Sequence, residues 1–190
     1  KYGRPSGETD IDSLYQMFEG KLMSILENFT DIKPGVLETV KILREKGISI
    51  GSTTGYTDGM MEIVVKKAEE HGYKPDAWFS PDSTNKLGRP YPYMIYRNME
   101  AFAVSSADGV VKVGDTVSDI KEGKSAGVFS IGIIEGSSEM GLSREEYDSL
   151  TGEEKSRRAV LVTAKYAEAG ADAVIHNMWD LIPLLKNIFI

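Results

Sequence analysis

The stretch Val110-Val-Lys-Val-Gly-Asp-Thr-Val-Ser-Asp119 limits the folds open to this chain more than any other. A short apolar run, Val110 to Val113, reads as a buried strand. It breaks at Gly114 and delivers two carboxylates, Asp115 and Asp119, where a helix should start, with Thr116 or Ser118 suited to the N-cap. Acids at the carboxyl end of a strand in an open α/β sheet lie where such sheets bind ligands. A converging pair there can hold a hard cation, since Mg²⁺ takes one or two carboxylates and leaves its other positions to water or phosphate oxygens. The competing reading is a capped helix whose acids only complement the macrodipole.

Strands and helices alternate along the rest of the chain. Residues 1–8 are polar and carry Gly3, Pro5 and Gly7, which reads as a lead-in. A helix is expected from 9 to about 28, with Ile11, Leu14, Tyr15, Phe18, Leu22, Ile25 and Leu26 at helical spacing. Pro34 fits the first turn of a second helix that stops at Gly47. A strand over 48–54, a helix over 58–71, a short strand over 77–80, a loop over 82–92 and a helix over 93–102 follow. After the Val110 strand and a helix to Ala126 come a strand over 128–134 and two capping boxes, Ser143-x-x-Glu146 and Thr151-x-x-Glu154. A helix to Ala169, a strand over 173–175 and a helix from Asn177 complete the pattern. This order predicts an α/β fold, a doubly wound parallel sheet with helices on both faces.

Composition narrows the function classes. A net charge of −7 argues against a nucleic-acid partner, which would want a basic face. It leaves room for a small anionic substrate, because a metal and one arginine reverse the sign inside a cleft. Without cysteine there is no disulfide framework and no thiolate nucleophile. No run reaches the length of a membrane span, and no signal peptide is evident, so a cytoplasmic enzyme with no membrane partner is expected. The first residue is Lys1, so an N-terminus other than the natural start is expected.

Two further stretches carry chemistry. Ser52-Thr-Thr-Gly-Tyr56 sets hydroxyls and a glycine at a strand-to-helix turn, where free backbone N–H groups attract anions. Gly88-Arg-Pro-Tyr-Pro92 presents Arg89 from a loop stiffened by two prolines. Its guanidinium is a planar fork of donors suited to phosphoryl oxygens. The plainer readings are a threonine-rich N-cap and a surface arginine.

A threonine after one strand, a basic residue in a loop and an acid pair after the next strand resemble three motifs of the haloacid dehalogenase superfamily, in that order. Gly51-Ser-Thr-Thr-Gly-Tyr-Thr57, Gly72-Tyr-Lys-Pro-Asp76, Gly88-Arg-Pro-Tyr-Pro92, Lys112-Val-Gly-Asp-Thr-Val-Ser-Asp119 and Gly136-Ser-Ser-Glu139 together resemble the phosphonoacetaldehyde hydrolase (phosphonatase) family, from about Asp10 to the C-terminus. The resemblance implies hydrolysis of the C–P bond of phosphonoacetaldehyde to acetaldehyde and phosphate, with Mg²⁺. It implies that Thr54 and the Gly55 N–H bind the phosphoryl group, that Arg89 clamps it and that Tyr56 faces the substrate. Asp115 would ligate the metal directly, and Asp119 would sit in or near the layer just behind the metal's ligands, orienting a ligand or water.

The family's first strand ends in Asp-x-Ala-Gly-Thr or a close variant and supplies the nucleophile. A cap lysine forms an imine that acts as an electron sink. Nothing before Thr54 reads as that strand, and Asp10, Asp12 and Asp31 lie in or beside predicted helices. Of the lysines before Asp31, Lys1 and Lys21, neither is assigned to the imine. The chain thus resembles roughly the C-terminal two-thirds of such an enzyme, with 1–30 as a remnant of the helical cap and 31–190 as the hydrolase core. Alone it is expected to be inactive. The nucleophile strand would lie centrally, between the 48–54 and Val110 strands, so a partner is expected: a second copy or the N-terminal segment.

Rival readings are a phosphatase or phosphomutase acting on a phosphate ester, a non-catalytic assembly module, and more remotely a receiver-type signalling domain. His71 at a helix C-terminus suits the dipole. No carboxylate partner is evident for His176. Met60, Met61, Trp78 and Trp179 read as packing residues, and the charged run over 154–158 as a solvated face.

Overall fold

The computed structural model describes residues 7–189. Lys1 lies outside the described residues, as do the side chains of Asp12 and Tyr15. The chain divides into two compact units, one formed by the segments up to Ile32 and Asp58–Lys74, the other by Lys33–Thr57 and Pro75–Ile190.

In the first unit, α1 (Glu8–Ile25) runs into a 3₁₀ turn, Leu26–Phe29, and α3 (Asp58–Glu70) is the second helix. Leu26 is buried, whereas Ile11, Leu14 and Phe18 of the α1 stripe stay more than half exposed. His71 follows α3 as expected, and its Nδ1 lies 3.3 Å from the Thr30 carbonyl.

The second unit holds two parallel sheets. In one, β1 (Gly51–Thr53) pairs with β2 (Ala77–Phe79). In the other, β4 (Phe129–Ile133) lies between β3 (Val111–Gly114) and β5 (Ala173–Ile175). Among the described residues, no strand covers the second edge of β1 or of β3. Each sheet begins on an aspartate. The Asp76 carboxylate accepts the Ile50 N–H at 2.7 Å, and the Asp172 carboxylate accepts the Ser130 N–H at 2.8 Å. The Ile50 carbonyl accepts the Asp76 N–H at 2.7 Å, and the strand expected over 48–54 contracts to Gly51–Thr53, the three residues that pair with Ala77–Phe79.

Alternation along β3 and β4 sorts side chains to two faces. Val111, Val113, Phe129, Ile131 and Ile133 join Ile175 in a core with Leu43 of α2 (Val36–Glu45) and Leu181 of α8 (Leu181–Phe189). The opposite face carries Lys112, Gly114, Ser130 and Gly132 under α5 (Val117–Ala126) and α7 (Gly152–Glu168). The small residues there permit close approach: a Cβ on Gly132 would lie 2.7 Å from Cγ of Tyr166, which is fully buried. The core on this face is built from Ile120, Ile134, Met140, Tyr147, Val162 and Tyr166. Both faces are covered, as the alternating pattern predicts.

Both capping boxes form, at α6 (Arg144–Ser149) and α7. Pro34 falls outside α2, because Gly35 at φ 80° takes the N-cap position. The last helix is preceded by a 3₁₀ turn, Met178–Asp180, and Trp179 within it is half exposed rather than a core residue.

Candidate active site

Arg89 links the turn after β1 to a carboxylate that follows β3. Thr54 follows β1, and its N–H extends the ladder to the Phe79 carbonyl at 3.3 Å. The Thr54 hydroxyl accepts the Tyr56 N–H at 3.1 Å, which folds the chain back on itself at Gly55. Arg89 follows the 3₁₀ turn Pro81–Thr84, precedes α4 (Tyr93–Ala101) and is joined to Pro90 by a cis peptide bond. Its guanidinium lies over Gly55: a Cβ there would stand 3.2 Å from Nη2. The same guanidinium donates from Nη1 to Asp119 Oδ1 at 2.6 Å.

Asp119 sits in the first turn of α5, whose N-cap is Thr116 rather than Ser118. It is 4% exposed, so its ionised form needs compensation. Arg89 supplies part of it, Lys112 stands 3.0 Å from the same Oδ1, and the Thr116 hydroxyl donates to Oδ2 at 2.6 Å. Burial alone would raise the Asp119 pKa, but Lys112 and Arg89 overcome this and hold the carboxyl below its ordinary range. Asp119 is therefore an anion at neutral pH, with both oxygens engaged.

Lys112 and Glu122 were not singled out as functional residues by sequence. Lys112 Nζ donates to Glu122 Oε2 at 2.8 Å and to Thr53 Oγ1 at 2.6 Å, and Thr53 Oγ1 in turn lies 2.8 Å from Glu122 Oε2. Glu122 has no exposed surface, and its Oε1 has no hydrogen-bond partner among the described residues. The network links β3, α5 and β1, so side chains join the two sheets where no ladder does. A lysine inside an apolar strand, and a glutamate one helical turn beyond Asp119, are the sequence signals that mark it.

Asp115 is placed differently. Ser138 donates to its Oδ2 from both the backbone N–H, at 3.1 Å, and the hydroxyl, at 3.0 Å. Its Oδ1 makes no hydrogen bond to a described residue. The described residues contain no cluster of three or more acid or histidine ligands. An ion satisfied by one or two carboxylates fits this donor set, and Mg²⁺ is such an ion. Asp115 has an oxygen to offer, whereas Asp119 is turned to Arg89, Lys112 and Thr116. Tyr56 is 36% exposed. His176 does have partners: its Nε2 lies 3.2 Å from the Tyr147 hydroxyl and 3.9 Å from Glu135 Oε2. Sequence reading missed them because they come from other elements.

The sequence profile of the haloacid dehalogenase-like hydrolases matches residues 7–127. The phosphonoacetaldehyde hydrolase of Lysinibacillus sphaericus is 52% identical over 180 residues, covering 95% of this chain. The chain spans 66% of that relative's length. The phosphonoacetaldehyde hydrolase of Parabacteroides distasonis is 48% identical over 187 residues, covering 98% of this chain and 70% of its own. Among solved structures, a phosphonoacetaldehyde hydrolase-like protein from Oleispira antarctica superposes with a TM-score of 0.91 at 32% identity, covering 97% of this chain and 67% of the other. The described residues include no helix long and apolar enough to cross a membrane. With its two faces of helices over parallel strands, and with relatives this similar over nearly its whole length, the chain belongs to the haloacid dehalogenase-like hydrolases and, within them, to the phosphonoacetaldehyde hydrolase family.

Proposed function

We propose that this chain supplies the phosphoryl-binding and cation-binding part of a site that hydrolyses the C–P bond of phosphonoacetaldehyde to acetaldehyde and phosphate. The observation that carries this reading is the Arg89 guanidinium, held by buried Asp119 and lying over Gly55. A cation fixed in advance beside a turn of backbone donors stabilises phosphoryl charge without reorganising during the reaction. Thr54 and Gly55 bind the phosphoryl oxygens, Arg89 draws charge from them and Tyr56 borders the substrate. Asp115, with Asp119 close by, would hold Mg²⁺, which would neutralise further phosphoryl charge.

Neither covalent catalyst of the proposed reaction is identified in this chain. Lys21 is exposed on α1, and Asp10 of that helix has its carboxylate on the Gly7 N–H. The test is complementation. Alone, the 190-residue chain is expected to release no acetaldehyde from phosphonoacetaldehyde. Mixed with the part of the Lysinibacillus sphaericus enzyme that it does not match, and with Mg²⁺, it is expected to release acetaldehyde and phosphate. Hydrolysis of phosphate esters without acetaldehyde release, and without an imine trapped by borohydride, would replace this reading with a phosphatase. Turnover by the chain alone would place the nucleophile among Asp10, Asp12 and Asp31.

Arg89→Lys tests the phosphoryl clamp directly. Lysine keeps the charge but loses the planar fork, and the loss of one preorganised donor costs about 2.7–4 kcal/mol in comparable sites, of which lysine should recover part. In the complemented enzyme, kcat/KM should fall at least about tenfold, which is 1.4 kcal/mol. Wild-type turnover by Arg89→Lys would put Arg89 outside the site.

A further inference from the structure

We propose that Ser138 is a positioning residue that fixes Asp115, so that one carboxylate oxygen is held and the other is aimed at a divalent cation. The proposal rests on the reading of Asp115 as the cation's ligand. Two donors of Ser138 converge on the same oxygen, Oδ2, at 3.1 and 3.0 Å. Two bonds to one oxygen restrict rotation of the carboxylate and leave Oδ1 without a hydrogen bond to a described residue.

The loop that carries Ser138 is itself anchored at several points. Gly136 adopts φ 71°, and its carbonyl accepts a hydrogen bond from Lys33 Nζ. Ser137 is buried, and its hydroxyl accepts the Met140 N–H at 3.1 Å. Glu139 spans two helices: Oε1 accepts the Val117 N–H at the start of α5 at 3.2 Å, and Oε2 accepts Lys165 of α7 at 2.8 Å. The loop therefore grips Asp115 through Ser138 and the helix carrying Asp119 through Glu139. Ser138 itself is exposed, so its hydroxyl contributes nothing to core packing. What it holds is Asp115.

The test reads cation binding rather than turnover. Mn²⁺ is titrated into the wild-type chain, Ser138→Ala, Ser138→Thr and Asp115→Asn, with free Mn²⁺ followed by electron paramagnetic resonance and each variant's melting temperature recorded. Removal of a group that orients a ligand costs about 10–100-fold in metal affinity, and Ser138→Ala keeps the backbone donor, so about tenfold is expected. Its melting temperature should match wild type. Ser138→Thr retains a hydroxyl donor and should bind within about twofold of wild type. The proposal is overturned if Ser138→Ala binds Mn²⁺ as wild type does while Asp115→Asn does not. It is also overturned if Ser138→Thr fails to restore affinity. Undiminished binding by Asp115→Asn would remove the cation reading itself, and the proposal with it.

Discussion

Lys112→Met should destabilise the chain by about 3–5 kcal/mol, because it leaves the fully buried Glu122 carboxyl without its cation, with only the Thr53 hydroxyl still donating to it. Lys112 is the one cation within salt-bridge distance of Glu122 among the described residues, and Glu122 is fully buried. Asp119 fares better, since Arg89 remains beside it. At about 2–4 °C per kcal/mol for a chain of this size, the melting temperature should fall by roughly 6–20 °C. The double variant Lys112→Met/Glu122→Leu removes both charges and should recover most of the loss, since apolar replacement of a whole buried pair is often neutral or better. Urea denaturation of the single and double variants measures the coupling. A single variant as stable as wild type would mean that the network is ornamental.

Gly114→Ala should be nearly as damaging, through shape alone. Gly114 ends β3 and is buried. A Cβ there would overlap Asp119 Cβ and stand 2.6 Å from its Cγ. The obstacle is the root of a side chain in the first turn of α5, not a flexible tip, so the helix must move or β3 must bend. Overpacking typically costs 1–3 kcal/mol and occasionally more, and about 3 kcal/mol or above is expected here, a fall of roughly 6–12 °C or more in melting temperature. Any helix shift also carries Asp119 away from Arg89. An unchanged melting temperature would show that α5 yields freely.

Legibility in the sequence followed the range of the interaction. β5 lies where its pattern put it, and both capping boxes close, because each depends on residues a few positions apart. The strand expected over 48–54 shortens to Gly51–Thr53 because its extent is set by a partner far along the chain, the three residues Ala77–Phe79. Thr54, Gly55, Arg89 and the acid pair were recognisable as a set, and the structure brings Gly55, Arg89 and Asp119 together. What the sequence did not disclose is that Asp119 is saturated by two cations, or that Lys112 crosses to Thr53 on another sheet. Those facts depend on how two strands without a shared ladder are placed, which periodicity does not encode.

The two sheets joined by side chains imply uneven hydrogen exchange. β4 has a ladder on both sides, so its amides can exchange only when neighbouring strands part. Among the described residues β1 and β3 each have one ladder, and between them stand a hydroxyl, an ammonium and two carboxylates. Such a junction opens when an ion pair breaks rather than when a row of backbone bonds unzips, and salt weakens it where water can reach. Deuterium should therefore enter β1 and β3 ahead of β4, so that the strands leading into the candidate site open more often than the strand that supports them.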